Sequence, residues 1–512
     1  MRKILIIVLC LLMCGSIYYI YENYSSVEVE KKIQLDGTAY IEKYYVYGTN
    51  FNLSGYLDNN DNIKDVKLIL YNDEKETELN LDYELVEDRI VFSTSNLMNV
   101  GYFLDKTELG KNYLFLKVSM ADESMHYYGL ENKSNYKEMK YYTLSKTNHV
   151  IFINSNNQYN TLMLYVEKNK DDNVYDITID PGHGGKDPGA CSKGYCEKNI
   201  TLDVATMLVN KLNETGLKVN LTRTDNDMVL PNYNMNGMLG RAVIPNESNS
   251  KYMFSIHLNS HTNKKMHGVE ILTPTNIDYS FAKMLADKIV EYTGTSYSIN
   301  MGNKMFDGVY TRTFNAKDVK EHYDYHEKNK TFAYDVKEGT SYYYMIRETG
   351  GILTGAYIDS RNPSIGENPY YNSNKGIESY ILELGYIINS DDINNILNNI
   401  SMINSKKLTA FKDEKMYILN SDDIESVYSE GGKVYIKCNG VIYSIKYRLY
   451  ELEDILDSNT FIRISNSEIV NFDRVKNIDF KFIGTILLNF KNGDVSYVSR
   501  RYIPKIKKFL GI

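Results

Sequence analysis

The spacing of apolar and polar positions changes along the chain, and the changes divide it. Arg2 and Lys3 precede an uncharged apolar run from Ile4 to Ile20. A basic start with an apolar core predicts a targeting segment over residues 1–21, either a retained signal anchor or a cleaved signal peptide. Tyr18, Tyr19 and Tyr21 stand where a small-residue cleavage site would be, and interfacial tyrosines suit an anchor. Cys14 follows the large Met13, which makes a poor lipidation site. In each case the basic end stays inside and the rest of the chain is sent outward. Residues 27–171 then alternate, as in Val66-Lys67-Leu68-Ile69-Leu70 and Tyr113-Leu114-Phe115-Leu116-Lys117-Val118, with turns such as Asp58-Asn59-Asn60-Asp61-Asn62 between them. This pattern predicts an all-β, sandwich-like accessory domain. Its tyrosine pairs, Tyr127-Tyr128 and Tyr141-Tyr142, offer glycan contacts, but tyrosine is common in strands and a plain spacer explains them as well.

From Tyr175 the period becomes mixed. Tyr175 to Ile179 reads as a strand, stopped by Asp180-Pro181-Gly182. Thr201 to Leu217 carries apolar residues at Leu202, Ala205, Leu208, Val209 and Leu212, a helical face, with Gly216 as its stop. Lys218 to Arg223 is the next strand. A strand–helix–strand order predicts an α/β domain with a parallel sheet, placed here at residues 175–402 with a long insertion at 299–372. From residue 409 to 512 the chain returns to short strands, among them Lys433 to Lys437 and Val441 to Ile445, with a helix at 448–456.

At 512 residues the chain has room for roughly two to four domains. Its net charge of −8 argues against general nucleic-acid binding. The last stretch differs: from Arg463 onward ten Lys and Arg face four acids, so a local basic face is predicted.

The candidate chemistry lies where apolar runs stop. His183 follows the first strand in a turn rich in glycine, Glu197 opens the helix, His257 ends Tyr252-Met253-Phe254-Ser255-Ile256-His257, and Glu383 ends Tyr380-Ile381-Leu382-Glu383. Open α/β sheets collect ligands at such carboxyl ends. Two imidazoles and a carboxylate fit a catalytic Zn2+ site with one position left for water. A further carboxylate suits a general base. His261, four residues after His257, straddles a predicted loop and is the weaker ligand candidate. His267, His322 and His326 fall in polar sequence and read as solvated loop residues.

DPGHGGKDPGA, the Glu197 helix, SIHLNSH and LELGYIINSDD occur in that order between about residues 176 and 395. Together they resemble the zinc-dependent N-acetylmuramoyl-L-alanine amidases of bacterial cell walls. The resemblance implies His183, Glu197 and His257 as zinc ligands and Glu383 as the catalytic carboxylate. It also implies a mixed sheet flanked by helices, and hydrolysis of the amide between N-acetylmuramic acid and L-alanine in peptidoglycan. The implied address is the cell membrane with the catalytic domain outside, or the cell wall after secretion. The insertion takes a substrate-side position on this reading. Arg347, and more weakly Arg312, would hold a carboxylate or the amide oxygen; an internal network with Glu348 is the competing reading of Arg347. Cys191 and Cys196 flank four residues just before Glu197, and form a disulfide, remain free thiols, or join the metal.

The segment from about 416 to 510 resembles LytTR domains, the β-rich DNA-binding modules of bacterial response regulators, through FIRISNSEIVN and VSRRY. The resemblance implies loop residues in the major groove, with Lys433, Asn466 and Arg501 at the contact positions. Ser465 stands where that family usually has His, and Glu468 where it often has a bulky residue. A basic β-domain that packs on the enzyme or touches an anionic wall polymer is the alternative. The two halves point to opposite sides of a membrane. Three functions follow: a surface amidase with an idle or repurposed tail, a sequence-specific transcriptional regulator with an inert amidase, and a fused or chimeric product. The metal set and the export segment favour the first. The amidase resemblance also implies a closing helix after Ile396, against which residues 400–412 read as short and polar.

Overall fold

The computed structural model describes residues 33–511, apart from 59–61, 73–74, 300–302, 334, 358–365, 405–406, 414, 457–459 and 481–485. The targeting segment at residues 1–21 lies outside the described residues. Among the described residues no helix is long and apolar enough to cross a membrane.

Residues 37–168 form strands throughout, and their alternating side chains close over one apolar core that includes Ile41, Phe51, Leu68, Leu116, Ile151 and Leu164. Here the strands form one branched hydrogen-bonded sheet, and a two-residue strand from far down the chain joins it. Lys375–Gly376 pairs parallel to the strand Gly37–Tyr47, with Val46 opposite Lys375. The Asn374 side chain donates to Tyr44 O at 3.0 Å across 330 positions.

The α/β domain is built on seven strands: β1 (Ile177–Pro181), β2 (Val219–Leu221), β3 (Tyr252–Asn259), β4 (Glu270–Thr273), β5 (Asn303–Phe306), β6 (Val309–Thr311) and β7 (Glu378–Tyr386). Their order across the sheet is β2-β1-β3-β7-β4-β6-β5. β2, β1, β3 and β7 run parallel, and β4 pairs antiparallel to β7. Among the described residues the domain also has the helices α1 (Glu197–Glu214), α2 (Ser280–Thr293), α3 (Ala316–Asn329), α4 (Tyr344–Thr349) and α5 (Ser390–Asn404), and a short one, Ile244–Glu247, before β3. One face packs Ile179, Phe254, Ile256 and Leu382 against Ala205 and Val209 of α1 and Ala282 and Ala286 of α2. The other packs Met253, Leu272 and Ile381 against Met345 and Ile346 of α4.

Two details differ from the sequence reading. β1 begins at Ile177 because Asp176 is committed elsewhere, accepting Lys218 N at 2.8 Å and Ser145 N at 2.6 Å. It runs through Pro181 because β2 stops pairing at Ile179, so Pro181 meets only β3. The closing helix is also present. It starts at Ser390, before the point searched, with Asp391 and Asp392 in its first turn. Ile393 and Ile396 bury against Ile200, Leu258 and Ile387.

The last module begins at Lys407, whose strand pairs with Lys415–Asn420. It holds a seven-stranded sheet and a separate three-stranded sheet. Ile462, Ile464, Val470, Leu488 and Ile506 form the core between them.

Candidate active site

The parallel register brings the carboxyl ends of β1, β3 and β7 level. Pro181 lies opposite Ile256, and His257 lies opposite Glu383. His183 follows β1 in a left-handed conformation, φ 62°, which a residue with a side chain adopts only where the surroundings hold it. Two arginines do so. Arg241 Nη2 donates to His183 O at 2.6 Å and Nη1 to Pro181 O at 2.7 Å. Arg223 Nε donates to Pro181 O at 3.0 Å and Nη2 to Gly182 O at 2.9 Å. Arg241 is balanced by the buried Asp180, 2.6 Å away, which also accepts Ser255 Oγ at 2.6 Å. Burial opposes the Asp180 charge, but Arg241 and the hydroxyl donors outweigh it and hold its pKa below the usual carboxylate range.

Glycine is required at two places around this turn. A Cβ on Gly182 would lie 2.4 Å from the His257 ring, and one on Gly189 would lie 2.6 Å from Glu197 Oε2. These absent side chains let the imidazoles and the carboxylate close on one another.

Glu197 is the first residue of α1 and is 3% exposed. Its Oε1 lies 3.0 Å from His183 Nε2 and 2.9 Å from His257 Nδ1. The same oxygen accepts Leu258 N at 2.9 Å, and Oε2 accepts Ala190 N at 3.1 Å. Burial disfavours its charge, yet the two histidines prevail and its pKa falls well below the ordinary value. His183 Nδ1 sits 2.8 Å from Asp187 Oδ2, an outer carboxylate that sets the ring's orientation and leaves Nε2 for the site. Burial lowers the His183 pKa, and the Glu197 and Asp187 carboxylates more than restore it, so it ends raised. One donor atom from each of His183, Glu197 and His257 fits within a 4.8 Å group. The donor set, its outer carboxylate and the glycine cradle fit a three-ligand metal ion.

Glu383 stands beside this group with Oε2 buried and, among the described residues, without a hydrogen-bond partner. Burial, then the charges of Glu197 and Glu270, push its pKa well above the usual range. Glu270 is its register partner on β4, and accepts Ser298 Oγ at 2.6 Å and Tyr386 OH at 2.7 Å.

The remaining sequence candidates are placed as follows. Cys191 and Cys196 are joined in a disulfide across a two-stranded hairpin that leads directly into Glu197. His261 lies outside the donor group, and its Nδ1 accepts Asn263 N at 2.9 Å. Arg347 is not in the cleft, a correction to the substrate role. It is 4% exposed, and its guanidinium contacts Glu348 Oε1 at 3.0 Å, Ser341 O at 3.0 Å and Tyr342 O at 2.9 Å. Arg312 is half-exposed over the Tyr342 ring at 3.7 Å. Both Arg312 and Glu383 act on the Tyr343 phenol, whose pKa is raised by burial first and the Glu383 charge next. Arg223, Arg241 and Asp180 were missed as site residues. The signal for them was weak, since a charge within a strand or loop does not announce burial.

In the last module Lys433, Asn466 and Arg501 are all exposed. Ser429 N donates to Ser467 O at 2.8 Å, Ser499 N to Ile464 O at 2.9 Å, and Tyr502 OH to Asn466 Oδ1 at 3.0 Å. These bonds gather the turns carrying the three residues at one end of the module. Glu468 is absorbed internally, accepting Ser496 Oγ at 2.7 Å.

Fold and site define an α/β domain with a candidate metal centre at the carboxyl ends of its parallel strands, joined to a β-rich module with a basic carboxyl end. Residues 177–411 match the sequence model of a family described as N-acetylmuramoyl-L-alanine amidase, and residues 414–511 match that of the LytTr DNA-binding domain. The middle of the chain therefore carries an N-acetylmuramoyl-L-alanine amidase domain, and a LytTR domain follows it. A putative N-acetylmuramoyl-L-alanine amidase of Buchnera aphidicola is 38% identical over 104 residues, 20% of this chain and 45% of that protein. An uncharacterized HTH-type transcriptional regulator of Staphylococcus aureus is 32% identical over 146 residues, 28% of this chain and 97% of that protein. Among solved structures, the amidase AmiC2 of Nostoc punctiforme aligns at 18% identity and a TM-score of 0.26, covering 44% of this chain and 86% of that one. The chain thus spans less than half the length of the first amidase relative it matches.

Proposed function

We propose that the enzyme domain hydrolyses the amide bond between N-acetylmuramic acid and L-alanine in peptidoglycan. The observation that carries this reading is the meeting of His183, Glu197 and His257 beside the unpartnered Glu383 oxygen. His183, Glu197 and His257 would hold Zn2+, which supplies a Lewis acid for the carbonyl and makes a water acidic enough to attack near neutral pH. Glu383 accepts the proton of the attacking water at Oε2 and returns it to the departing amine. Its raised pKa makes it a stronger base than an exposed glutamate. Asp187 keeps the His183 ring in place, and the Asp180–Arg241 pair keeps the turn beneath it in place. Tyr343 and Arg312 remain the candidates for substrate contact. Purified full-length protein digesting purified peptidoglycan should release new amino-terminal alanine. Release of reducing sugar ends instead would make the enzyme a glycosidase.

We infer that the enzyme works outside the cell, held by residues 1–21 or released after their cleavage. The Cys191–Cys196 disulfide supports this address, because such bonds persist in oxidising compartments. Protease added to intact cells should then reach the carboxyl terminus.

A second reading is favoured by the gathered turns of the last module: its Lys433, Asn466 and Arg501 end contacts duplex DNA. Binding should weaken steeply with salt, and Arg501→Ala should lower affinity and reduce the salt slope by about one. Absence of binding to any sequence pool at low salt would remove this reading.

A further inference from the structure

The amino ends of the parallel strands meet the accessory domain, at the opposite end of the sheet from the candidate metal centre. Tyr252 opens β3 and lies opposite Glu378, which opens β7. Glu383 stands five residues further along β7, about 16 Å at the usual strand rise. Tyr252 OH lies 3.0 Å from Thr49 Oγ1. Asn99 Nδ2 donates to Glu378 Oε1 at 2.9 Å, and Asp278 N donates to Asn99 Oδ1 at 2.6 Å. Beside these contacts is a cavity of about 490 Å3, within the roughly 300–1,000 Å3 of small-molecule sites. Tyr252, Phe254 and Phe281 line it with rings, and Asp176, Asp278 and Glu378 with carboxylates. Among the described residues no lysine, arginine or histidine lines it. Asp176 is already occupied by Ser145 N and Lys218 N. Asp278 accepts Ser280 N and Oγ at one oxygen, Oδ1. Glu378 is 4% exposed, and its Oε1 also accepts Tyr380 OH. Among the described residues no hydrogen bond reaches its Oε2. Burial raises its pKa, the Tyr380 and Asn99 hydrogen bonds lower it in part, and the Asp278 charge adds to the rise.

We propose that this cavity binds a small organic ammonium ion, with its cationic head at Glu378 Oε2 beside Asp278 and its apolar body against the Tyr252, Phe254 and Phe281 rings. The head supplies the donor that the buried carboxylate oxygen lacks, and a positive charge where two acids face no cation. Ring faces attract cations as well as apolar groups. The same carboxylates repel an anion, and a neutral ligand leaves their charge uncompensated. A bare Ca2+ or Mg2+ ion takes about six oxygen ligands, which walls made of rings do not supply. The cavity is lined from both domains, by Asn99 as well as by Glu378, so a bound ligand also holds the accessory domain on the enzyme domain. This site does not depend on the amidase reading.

The test is a calorimetric titration of full-length protein with benzylammonium chloride near neutral pH, beside benzyl alcohol as a neutral probe of the same shape. The parent should bind the ammonium about tenfold more tightly than the alcohol. Glu378→Gln should lower ammonium affinity about tenfold and leave the alcohol unchanged. Asp278 is exposed, so Asp278→Asn keeps the test open if the buried variant does not fold. It should weaken the ammonium alone, by about threefold. Phe281→Ala should weaken both probes. His183→Ala should bind the ammonium as the parent does, which separates this cavity from the candidate metal centre. Equal affinity for the two probes, no binding by the parent, or full ammonium affinity in the carboxylate variants that fold would overturn the proposal. Loss of the binding in His183→Ala would overturn it as well.

Discussion

Glu383→Ala is expected to lower amide hydrolysis by roughly two to four powers of ten, with bound zinc at the parent's level. The separation follows from geometry. The three candidate metal donors come from the turn after β1, the start of α1 and the carboxyl-terminal part of β3, and none is contributed by β7. Glu383 sits on β7 with its neighbours on both sides fixed in register by His257 and Glu270. Among the described residues its Oε2 has no hydrogen-bond partner, so removing it breaks no described hydrogen bond at that atom. What is lost is a base held steady by sheet packing. Glu383→Gln keeps the shape and removes the basicity, so it should be nearly as slow. New amino-terminal alanine, followed over time beside zinc content, gives both readouts. Full rate in either variant would mean another group takes the proton.

His183→Ala and His257→Ala should each empty the site of zinc, from about one ion per chain in the parent to a small fraction. Hydrolysis should fall with it to the level of protein without metal. Each ring supplies a nitrogen about 3 Å from the same Glu197 oxygen. Removing either leaves two candidate ligands and takes one of two imidazole partners from a buried carboxylate. Asp187→Asn should act by degree, costing ten- to a hundredfold in zinc affinity through the loosened His183 ring. Equilibrium dialysis against a zinc buffer measures the series. Full occupancy in both alanine variants would reject these ligands.

The candidate donors His183, Glu197 and His257, which the structure brings together, were legible because each opens, follows or lies near the end of a regular element. An apolar β-branched run that stops at a histidine can be read without coordinates, and so can a helix that starts at glutamate. Residues whose role depends on what they touch were not legible. Arg347 looks like a substrate clamp in sequence, yet its guanidinium is occupied by Glu348 and two carbonyls. Arg241 looks like a loop residue, yet it carries the turn that presents His183. The α3 histidines read as loop because a helix with no buried residue has no apolar period to announce it. The closing helix was sought too late in the chain, though Ile393 and Ile396 already mark its inner face. The joining of Lys375–Gly376 to the first domain is set by a distant partner, and no local pattern encodes it.

That last pairing governs the order of assembly. The edge at Val46 and Tyr47 leaves the ribosome early, and its partner Lys375–Gly376 leaves far later, just ahead of the strand that carries Glu383. Contacts so distant in sequence form slowly, because the intervening chain must first be gathered in. The accessory domain therefore offers an open sheet edge during synthesis, and the two-residue strand Lys375–Gly376 is the piece that closes it. Residues 378–386, which carry Glu383, follow that pairing directly in the chain, so one late stretch completes both the first domain's edge and the candidate site.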